Sequence, residues 1–532
     1  MSGRLAVDFG TSSTLVALWD DEHGEALPLL LPELSRNVAV RSPQGDFAEV
    51  PLVPSLIHYV DENQRWIGQQ VFDHELYEHP QTFRWMKRYV SRRTPIKLHL
   101  GHTDITSRTA GRDFLATVIA SAAAGMDINP REEEIALTVP VEAFEHYDQW
   151  LLSAAEQAGA PHVRLIDEAS AAAIGYGVSV NPGDVFVVFD FGGGSMEASV
   201  VQAEDIDGVR RCRILGKAGG DFGGATIDEW MFRDVLRRSK VTDGEPDVRK
   251  ISRKLLVDIE RAKELLSVEE RADVSVIDLY TGYMLSAEYT RKRFEKMLEV
   301  QGLFLQIERT IGRALDAARL RGVEDDQIRA VFMLGGSSLI PSVQQVLTRI
   351  FGGERVMIDH PLEAVACGAA AFIAGGEVSD FIQHDYAIRY RNPSKGDYGY
   401  RPIVRRGTHF PTAEPVAKVL VKASQDGQAN LGMAVFEMGE RGNGQTTVEL
   451  IFDNTGAARV RQVPADEIEK RTHFWINERS PTFLTTDAAA PGSETSYEVH
   501  FGIDANKRLI LSAMDLATGR YVYQDVPVAT LS

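Results

Sequence analysis

Apolar and polar positions repeat with two different periods over the first two thirds of the chain. In residues 1–200, short runs with the two-residue period of strands alternate with stretches that have the period of helices. Between residues 209 and 330 the helical period dominates. This alternation is typical of an α/β domain. The predicted elements are strands at Pro51–Val60, Ile135–Val139 and Ala330–Leu334, and helices at Gln81–Arg93, Phe114–Met126, Glu142–Gly159, Ile227–Arg238, Val248–Leu266, Thr290–Arg321, Val343–Phe351 and Leu362–Ala374.

The pattern changes at Gly375–Gly376, beyond which the helical period is lost. From about Tyr386, short alternating runs are separated by Gly, Pro, Asn and Asp, which predicts an antiparallel β-sandwich. We therefore expect domains at 1–376 and 389–532, joined by a linker at 377–388. The last predicted strand lies near the end of the chain, so we expect no helical lid after it. The predicted strands are Val416–Ala423, Met433–Glu437, Thr446–Phe452, Glu498–Ile503 and Arg508–Met514.

Two Asp-x-Gly loops, Asp8–Ser13 and Asp190–Ser195, occupy equivalent places in the pattern. Glycines let backbone N–H groups approach a phosphate closely, and hydroxyl groups add donors. The leading Asp supplies an oxygen ligand for Mg²⁺. Either loop alone could be a tight turn, but together they predict two facing loops that hold a triphosphate. Each lies between two predicted strands, which are Leu5–Val7 with Leu15–Leu18 and Val185–Phe189 with Met196–Val201.

A third glycine loop, Gly335-Gly336-Ser337, follows the predicted strand at Ala330–Leu334. Such a tripeptide is common in ordinary turns, so by itself it is a weak signal. In the second half of a duplicated fold, however, it lies where an adenosine would need backbone contact.

Composition narrows the functional classes. The formal net charge is −19 and the isoelectric point is about 5.2, which argues against binding to nucleic acid or to an anionic membrane. Cys212 and Cys367 are far apart, so neither a zinc site nor a disulfide framework is indicated. No apolar run is long enough for a membrane-spanning helix, and the chain begins in a strand rather than a signal segment. We therefore expect a cytoplasmic protein.

A series of longer motifs resembles the 70-kDa heat-shock chaperone family, within the actin and sugar-kinase superfamily. Weaker similarity continues at 402–412 and 500–519, so the resemblance covers nearly the whole chain. It implies a duplicated actin-like ATPase core with two lobes and four subdomains, followed by a peptide-binding β-sandwich without the usual helical lid. The motifs, in family order, are DFGTSST at 8–14, VPSLIHY at 53–59, RWMKRYVSRR at 84–93, LTVP at 137–140, LIDEASAAAIGYG at 165–177, VFDFGGGSMEAS at 188–199, ERAKELLS at 260–267, MLGGSSLIPSVQQVL at 333–347 and EAVACGAAA at 363–371.

The resemblance also implies roles for individual residues in binding and hydrolysing ATP with Mg²⁺. Lys87 matches the lysine that reaches the γ-phosphate, and Glu168 matches the carboxylate that positions the attacking water. Asp8 and Asp190 match the carboxylates that hold Mg²⁺, largely through waters. We therefore predict Lys87, Glu168, Asp190 and Ser195 as catalytic. The residues predicted to bind ATP or ADP are Gly10, Thr11, Ser12, Ser13, Gly192, Gly193, Gly194, Ser195, Glu260, Lys263, Ser267, Gly335, Gly336 and Ser337.

Without the resemblance, several of these residues have simpler interpretations. Lys87 could be one more charge on a solvated basic helix with Arg84 and Arg88. Glu168 could be an ordinary acid in the first turn of a helix. Arg164 matches a position that docks J-domain co-chaperones, but it could also be a surface charge.

Other positions depart from the family pattern. Glu264 and Leu339 replace the arginines that flank the adenine, which predicts weaker nucleotide binding. Ser195 replaces Thr and keeps the hydroxyl group, and Glu197 replaces Asp. Asp148 replaces the arginine of the interdomain relay.

Two further features bear on coupling and on the β region. The relay proline is kept as Pro140, but the linker stretch Phe381–His384 is only half apolar, so its docking should bury less surface than usual. The segment Gly432–Phe436 could line a peptide groove or could be an alternating core strand. Arg389–Arg401 is polar and Tyr-rich, unlike the family's apolar arch loop.

Three functions remain open. The first is a slow ATP-hydrolysing chaperone of protein folding and the stress response, which binds unfolded or extended polypeptide with a J-domain co-chaperone and a nucleotide exchange factor. The second is a nucleotide-gated scaffold that hydrolyses little and recognises one dedicated partner. The third, a small-molecule kinase, is the least favoured because no sugar-binding signature is visible and the β domain would have no role.

Overall fold

A computed structural model describes most of the chain in two compact units. Unit 1 comprises Met1–Val141, Trp150–Ser379 and Asn443–Val463, and unit 2 comprises Glu142–Gln149, Asp380–Gly442 and Pro464–Ser532. The described residues are 4–41, 47–101, 103–126, 128–140, 144–176, 182–206, 209–375, 377–379, 382, 384–391, 398–408, 410–422, 430–439, 448–453, 455–478, 480–485, 496–504 and 507–531.

The first half of unit 1, residues 4–176, is built on a seven-stranded sheet. Its order is β12-β11-β1-β2-β5-β4, with β3 paired to β2. The strands are β1 (Leu5–Asp8), β2 (Ser13–Asp20), β3 (Glu25–Pro28), β4 (Arg36–Arg41), β5 (Phe47–Pro54), β6 (Ile57–Tyr59), β7 (Arg65–Ile67), β8 (Thr82–Phe83), β9 (Lys97–Leu100), β10 (Thr103–Thr106), β11 (Ile135–Val139) and β12 (Val163–Asp167). The helices are α1 (Gln69–Asp73), α2 (Met86–Ser91), α3 (Ser107–Gly125), α4 (Glu145–Gln157), whose first residues belong to unit 2, and α5 (Glu168–Gly175).

The second half, residues 182–375 with 377–379, is built on a six-stranded sheet of order β19-β18-β13-β14-β15-β20. The strands are β13 (Val185–Phe191), β14 (Met196–Ile206), β15 (Val209–Gly220), β16 (Arg271–Ile277), β17 (Met284–Thr290), β18 (Ile328–Leu334), β19 (Val356–Met357) and β20 (Glu377–Ser379). The helices are α6 (Gly224–Ser239), α7 (Pro246–Val268), α8 (Arg291–Val300), α9 (Leu303–Arg319), α10 (Pro341–Phe351) and α11 (Ala364–Ile373).

The two halves repeat one strand arrangement. β1 pairs antiparallel with β2 and parallel with β11, and β13 pairs antiparallel with β14 and parallel with β18. In each half, one strand therefore leads into a glycine loop, and the strand that follows the loop pairs antiparallel with it. This mixed α/β architecture fits the actin-like ATPase core that the resemblance implies.

Helices α5 and α11, one from each half, cross with their backbones in contact. A Cβ built on Gly175 would lie 2.7 Å from Gly368 N, and a Cβ built on Gly368 would lie 2.7 Å from Gly175 N. Glycine is required at both positions because a side chain on either would overlap the opposite backbone.

Several predicted elements are shorter than the sequence pattern suggested. The predicted helix Gln81–Arg93 contains only α2, because Thr82–Phe83 pairs with β6 and Trp85 adopts a left-handed conformation. The predicted helix Thr290–Arg321 is two helices, because Gly302 has a φ of +80° between α8 and α9. Pro51–Val60 is two strands, β5 and β6. The helix-rich region also contains β15 and the hairpin β16–β17, which the pattern did not indicate.

The C-terminal region contains two four-stranded antiparallel sheets, with orders β22-β21-β25-β28 and β23-β30-β31-β32. Its strands are β21 (Asp385–Arg391), β22 (Tyr398–Val404), β23 (Ala417–Lys422), β24 (Asn430–Met433), β25 (Val435–Met438), β26 (Val448–Phe452), β27 (Ala458–Gln462), β28 (His473–Trp475), β29 (Thr482–Thr485), β30 (Ser496–Ile503), β31 (Arg508–Asp515) and β32 (Arg520–Thr530), with one helix, α12 (Ala465–Thr472). Residues of both sheets share one apolar core in unit 2.

The predicted linker is only partly described. Residues 377–379 form β20, which pairs parallel with β15. Ile382 is fully buried in the apolar core of unit 2. Phe381 and Gln383 lie outside the described residues. Within the described segments, no helix is long and apolar enough to cross a membrane.

Candidate active site

The two Asp-x-Gly loops meet in unit 1. A Cβ built on Gly193 would lie 2.5 Å from Ser12 Oγ and 3.4 Å from Thr11 Cβ. A Cβ built on Gly194 would overlap Thr11 Oγ1 and lie 3.2 Å from Thr11 Cβ. The backbone of the second loop therefore lies directly against the hydroxyl side chains of the first, and a side chain at either glycine would force Thr11 or Ser12 to move.

Ser195 and Gly10 help to shape these loops. Ser195 O accepts a hydrogen bond of 3.1 Å from Gly192 N, which closes the second turn. Ser55 Oγ donates a hydrogen bond of 2.8 Å to Gly10 O, and Ser55 N donates one of 2.9 Å to Ser12 O. Ser55 therefore fixes the first loop, although the sequence analysis did not single it out. It follows β5 directly within the VPSLIHY motif, which was the available signal.

The third glycine loop joins the second one. Gly335 has a φ of +78°, and a Cβ built on it would lie 2.6 Å from Phe191 O and 2.7 Å from Asp190 Oδ1. Ser337 Oγ donates a hydrogen bond of 2.9 Å to Gly192 O. Gly336 begins the short 3₁₀ helix that follows. All three loops thus form one continuous surface of backbone and hydroxyl groups.

A buried lysine and three carboxylates lie beside the loops. Lys87 Nζ is 2.5 Å from Glu168 Oε1, and their side chains are only 9% and 7% exposed. Burial raises the pKa of Glu168, which Lys87 opposes and the charge of Asp8 reinforces. Burial, together with the charges of Glu168 and Asp8, raises the pKa of Asp190 to about 8. The four ionisable groups are therefore close enough to affect one another.

Local structure explains how these side chains are placed. Glu168 is the first residue of α5, whose N-cap Asp167 accepts a hydrogen bond of 2.9 Å from Ser170 N. Glu168 is thus both a first-turn acid and the partner of Lys87. Asp8 ends β1 and accepts a hydrogen bond of 2.6 Å from Thr138 Oγ1 on β11.

The alternative of a solvated basic helix around Lys87 is wrong. Counted over the whole residue, Lys87 is 7% exposed, Arg84 is 6% exposed and Arg88 is 4% exposed. Arg88 Nη2 donates a hydrogen bond of 3.3 Å to Thr226 Oγ1 in the second half. The basic face of α2 is therefore turned inward.

Lys263, one of the residues predicted to contact adenosine, approaches the glycine loops from α7. Lys263 Nζ is 2.8 Å from Asp228 Oδ1 on α6. A Cβ built on Gly224 would lie 3.1 Å from Lys263 Nζ and 2.8 Å from Ser337 Oγ. Lys263 and Ser337 therefore flank the same short stretch of backbone. Ser267 is one turn beyond Lys263 and is partly buried.

Glu260, also on α7, is engaged by the first half of unit 1. It accepts a hydrogen bond of 2.7 Å from Tyr77 Oη and forms an ion pair with Arg84. Arg84 and Tyr77 thus tie the two halves together across the site. The sequence analysis did not identify Asp228 or Tyr77, because neither belongs to a recognisable motif.

The positions that depart from the family pattern lie close to these residues in the chain. Glu264 follows Lys263 on α7, and Leu339 ends the 3₁₀ helix that begins at Gly336. Glu197 lies opposite Asp190 in the pairing of β13 with β14 and is 5% exposed.

Three residues with predicted roles in coupling lie elsewhere. Pro140 directly follows β11, and Asp148 lies in the first turn of α4. The guanidinium of Arg164 lies 4.0 Å from the centre of the Phe372 ring, and Arg164 Nη1 is 3.5 Å from Glu134 Oε2.

The donor set fits a magnesium ion held by phosphates and waters rather than a cage of protein ligands. Among the described residues, no group of three or more His, Cys, Asp or Glu side chains is arranged to hold a metal directly. Asp8 and Asp190 nevertheless add negative charge to a site with one buried lysine, and burial together with the neighbouring carboxylates raises the pKa of Asp190. Asp8 and Asp190 would hold a divalent cation at this site, and the cation would offset their negative charge.

A duplicated α/β core with facing glycine loops and a buried lysine–carboxylate pair defines a nucleotide-binding protein. A family model described as "Hsp70 protein" matches residues 49–455, and the chain belongs to the Hsp70 family, whose members are ATP-binding chaperones with ATPase activity. The chain is also similar to "Chaperone protein DnaK" from Stenotrophomonas maltophilia (strain R551-3). The two are 26% identical over 553 aligned residues, which cover 98% of this chain and 78% of that protein.

Proposed function

We propose that the chain binds ATP with Mg²⁺, hydrolyses it slowly and uses the nucleotide state to control polypeptide binding by its C-terminal β region. The observation that carries this proposal is the direct contact of Gly193 and Gly194 with Thr11 and Ser12, beside the buried pair Lys87–Glu168. Such a cradle offers a triphosphate backbone and hydroxyl donors from two sides.

The residues would act mainly by position and charge. Lys87 Nζ places a cation where the γ-phosphate carries its charge, and the backbone of Gly193, Gly194 and Ser195 supplies donors to the same group. Glu168, held 2.5 Å from Lys87 and buried, orients the attacking water. Asp8 and Asp190 would hold Mg²⁺, which would neutralise phosphate charge. We expect slow turnover, which suits a nucleotide-controlled switch better than a metabolic enzyme.

For the chain as a whole we propose an ATPase domain at 1–376, a linker at 377–388 and a β-sandwich at 389–532. The two four-stranded sheets with a common core support the sandwich. Met433 and Val435 are buried in this core, which favours the core-strand interpretation of Gly432–Phe436 over a peptide groove. Peptide would then bind at another part of the β region.

As partners we propose unfolded or extended polypeptide, a J-domain co-chaperone and a nucleotide exchange factor, in the cytoplasm. Arg164 is the candidate contact for the J-domain. Its stacking on Phe372 means that docking would have to use the outer face of the guanidinium.

The second candidate is a nucleotide-gated scaffold with little hydrolysis. The replacements at Glu264 and Leu339 favour it, because they remove two cations expected to grip the adenine. Weak nucleotide binding suits a protein that senses ATP rather than one that turns it over.

Single-turnover phosphate release, with ATP binding measured by calorimetry, separates the two candidates. Under the first, Lys87→Ala should abolish release and leave ATP binding largely intact. Under the second, the wild-type protein should release little phosphate and Lys87→Ala should change little. Rapid transfer of phosphate to a sugar would instead indicate a kinase.

Limited proteolysis between residues 377 and 388 tests the coupling. ATP and ADP should give different cleavage rates if the nucleotide state reaches the linker. Identical rates with ATP, with ADP and without nucleotide would contradict coupling while leaving hydrolysis untouched.

A further inference from the structure

A hairpin from the C-terminal region packs within unit 1 rather than with the strands that precede and follow it. We call it the crossing hairpin; it consists of β26 (Val448–Phe452) and β27 (Ala458–Gln462), paired antiparallel. It groups with the residues of unit 1, whereas the chain on both sides of it, Asp380–Gly442 and Pro464–Ser532, belongs to unit 2.

One side of the crossing hairpin is bonded to the second half of unit 1. Ala458 N donates a hydrogen bond of 3.0 Å to Ser252 Oγ on α7. Val460 N donates one of 2.8 Å to Asp243 Oδ2, in the turn between α6 and α7. Both donors are backbone groups, so these bonds fix the position of the strand itself.

The other side contacts the first half through α2. Tyr89 Oη donates a hydrogen bond of 3.3 Å to Leu450 O, and the rings of Trp85 and Phe452 are 6.1 Å apart. Trp85 and Tyr89 flank Lys87 in the sequence, Trp85 as the N-cap of α2 and Tyr89 within that helix. The hairpin therefore supports the short helix that carries the predicted γ-phosphate lysine.

Arg253 on α7 joins all three segments. Its Nη1 donates a hydrogen bond of 2.5 Å to His79 O, and its Nη2 donates one of 3.3 Å to Pro80 O, both in the first half. Its Nε donates to Gly456 O in the hairpin, and its guanidinium lies 4.5 Å from the centre of the Phe452 ring. Separating the two halves here would break bonds on at least one side of Arg253.

We propose that the crossing hairpin holds the two halves closed across the nucleotide cleft and thereby limits the rate of nucleotide release. This inference rests on the proposed function, which assigns Lys87 on α2 and Glu260 and Lys263 on α7 to nucleotide binding. The helices α2 and α7 would then line opposite sides of the nucleotide site. Nucleotide leaves when α2 and α7 move apart, and the hairpin bridges them. Since both ends of the hairpin continue into unit 2, the chain itself links the β region to nucleotide exchange.

Two substitutions at the hairpin contacts test the proposal in the full-length protein. Phe452→Ala removes the ring between Trp85 and Arg253, and Arg249→Ala removes an ion pair of 2.7 Å with Asp453 Oδ2. The measurement is the dissociation rate of a fluorescent ADP analogue chased with excess ATP. We expect release to become about tenfold faster for Phe452→Ala and about threefold faster for Arg249→Ala, which breaks a partly exposed pair.

Matched control substitutions distinguish the loss of the hairpin contacts from a general destabilisation of the protein. Arg249→Lys keeps the charge and should keep the slow rate. Arg261→Ala is on the same helix but breaks only a pair of 3.6 Å with Asp258, one turn away, and should not change release. Phe483→Ala removes a 47% exposed ring in unit 2 and should also be neutral. Wild-type release rates in both Phe452→Ala and Arg249→Ala would overturn the proposal.

Amide hydrogen exchange, measured without nucleotide, tests the hairpin contacts independently of whether the protein binds nucleotide. If the wild-type protein binds no ADP analogue, the nucleotide assignment fails, but the bridge can still be measured. Phe452→Ala should then speed amide exchange in α2 and α7, whereas Phe483→Ala should not. Unchanged exchange in α2 and α7 would overturn the bridge, even in a protein that binds nucleotide well.

Discussion

The buried pair Lys87–Glu168 gives the sharpest quantitative prediction. Its atoms are 2.5 Å apart and both side chains are less than 10% exposed. Lys87→Met keeps the length of the side chain but leaves Glu168 as a buried carboxylate without its cation. Removing one partner of a buried ion pair costs about 3–5 kcal/mol of unfolding free energy.

A double substitution shows whether the cost comes from the unpaired charge. Lys87→Met with Glu168→Gln leaves no buried charge at this pair, so we expect it to cost only about 1–2 kcal/mol, for the lost hydrogen bond. The double variant should therefore be more stable than Lys87→Met, although both should fail to release phosphate. Stability would be measured by urea unfolding at pH 7 without nucleotide.

The pH dependence gives an independent check. The pKa of Glu168 is raised by burial, and losing the opposing Lys87 raises it further. A folded-state pKa above the unfolded value means that stability is highest at low pH and is lost as the pH rises. The cost of Lys87→Met should therefore be smaller at pH 5 than at pH 8.

Lys296→Met is the matched control for this experiment. Lys296 is 67% exposed and forms a pair of 2.8 Å with Glu299 on its own helix. Such exposed pairs contribute little, so we expect a change within about 0.5 kcal/mol. A double variant no more stable than Lys87→Met, or a Lys87→Met cost that matches the control, would refute the reasoning.

Three further predictions concern the loops and the adenine side of the site. The pKa of Asp190 is raised from 3.8 to about 8, so stability falls as the pH rises between these two values; Asp190→Asn should flatten this fall, measured by thermal unfolding, and weaken Mg²⁺-dependent ATP binding. Gly194→Ala should weaken ATP binding at least about tenfold in calorimetry, because its methyl group would meet Thr11, whereas Gly312→Ala, with open space around its Cβ inside α9, should bind normally and gain about 0.5–1 kcal/mol of stability. Leu339→Arg should tighten ADP binding by about 0.5–2 kcal/mol through stacking on the adenine, and unchanged affinity in calorimetry would contradict the adenine assignment.

Local patterns predicted those parts of the molecule that depend on neighbours in the sequence. The strand at Ile135–Val139 and the helix around Val248–Leu266 followed from periodicity, and the structure contains both, as β11 and α7. The resemblance predicted the family, which the family model confirms.

The remaining features depend on contacts between distant segments. Nothing near Thr138 or Ser55 in the chain shows that one bonds Asp8 and the other bonds Gly10. The break at Gly302 interrupts a continuous apolar period, so the period alone predicted one helix. The burial of the basic side chains on α2 likewise requires the second half of unit 1 to cover them.

The packing of the crossing hairpin was the least accessible feature. Thr446–Phe452 alternates like any strand of a sandwich, and the structure places Val448–Phe452 in unit 1. Two ion pairs hold the hairpin there, Arg249 on α7 with Asp453 and Arg459 on β27 with Asp243, and the members of each pair are about two hundred residues apart in the sequence.

The contact of Gly175 with Gly368 has a mechanical consequence for the cleft. Where two helices interlock through side chains, turning one against the other forces many groups to repack. At this crossing the backbones of Gly175 and Gly368 face each other with no side chain between them. We therefore expect the two halves of unit 1 to turn against each other more easily at this point. A bulkier residue at either glycine should therefore force the two helices apart and displace one half of unit 1 against the other.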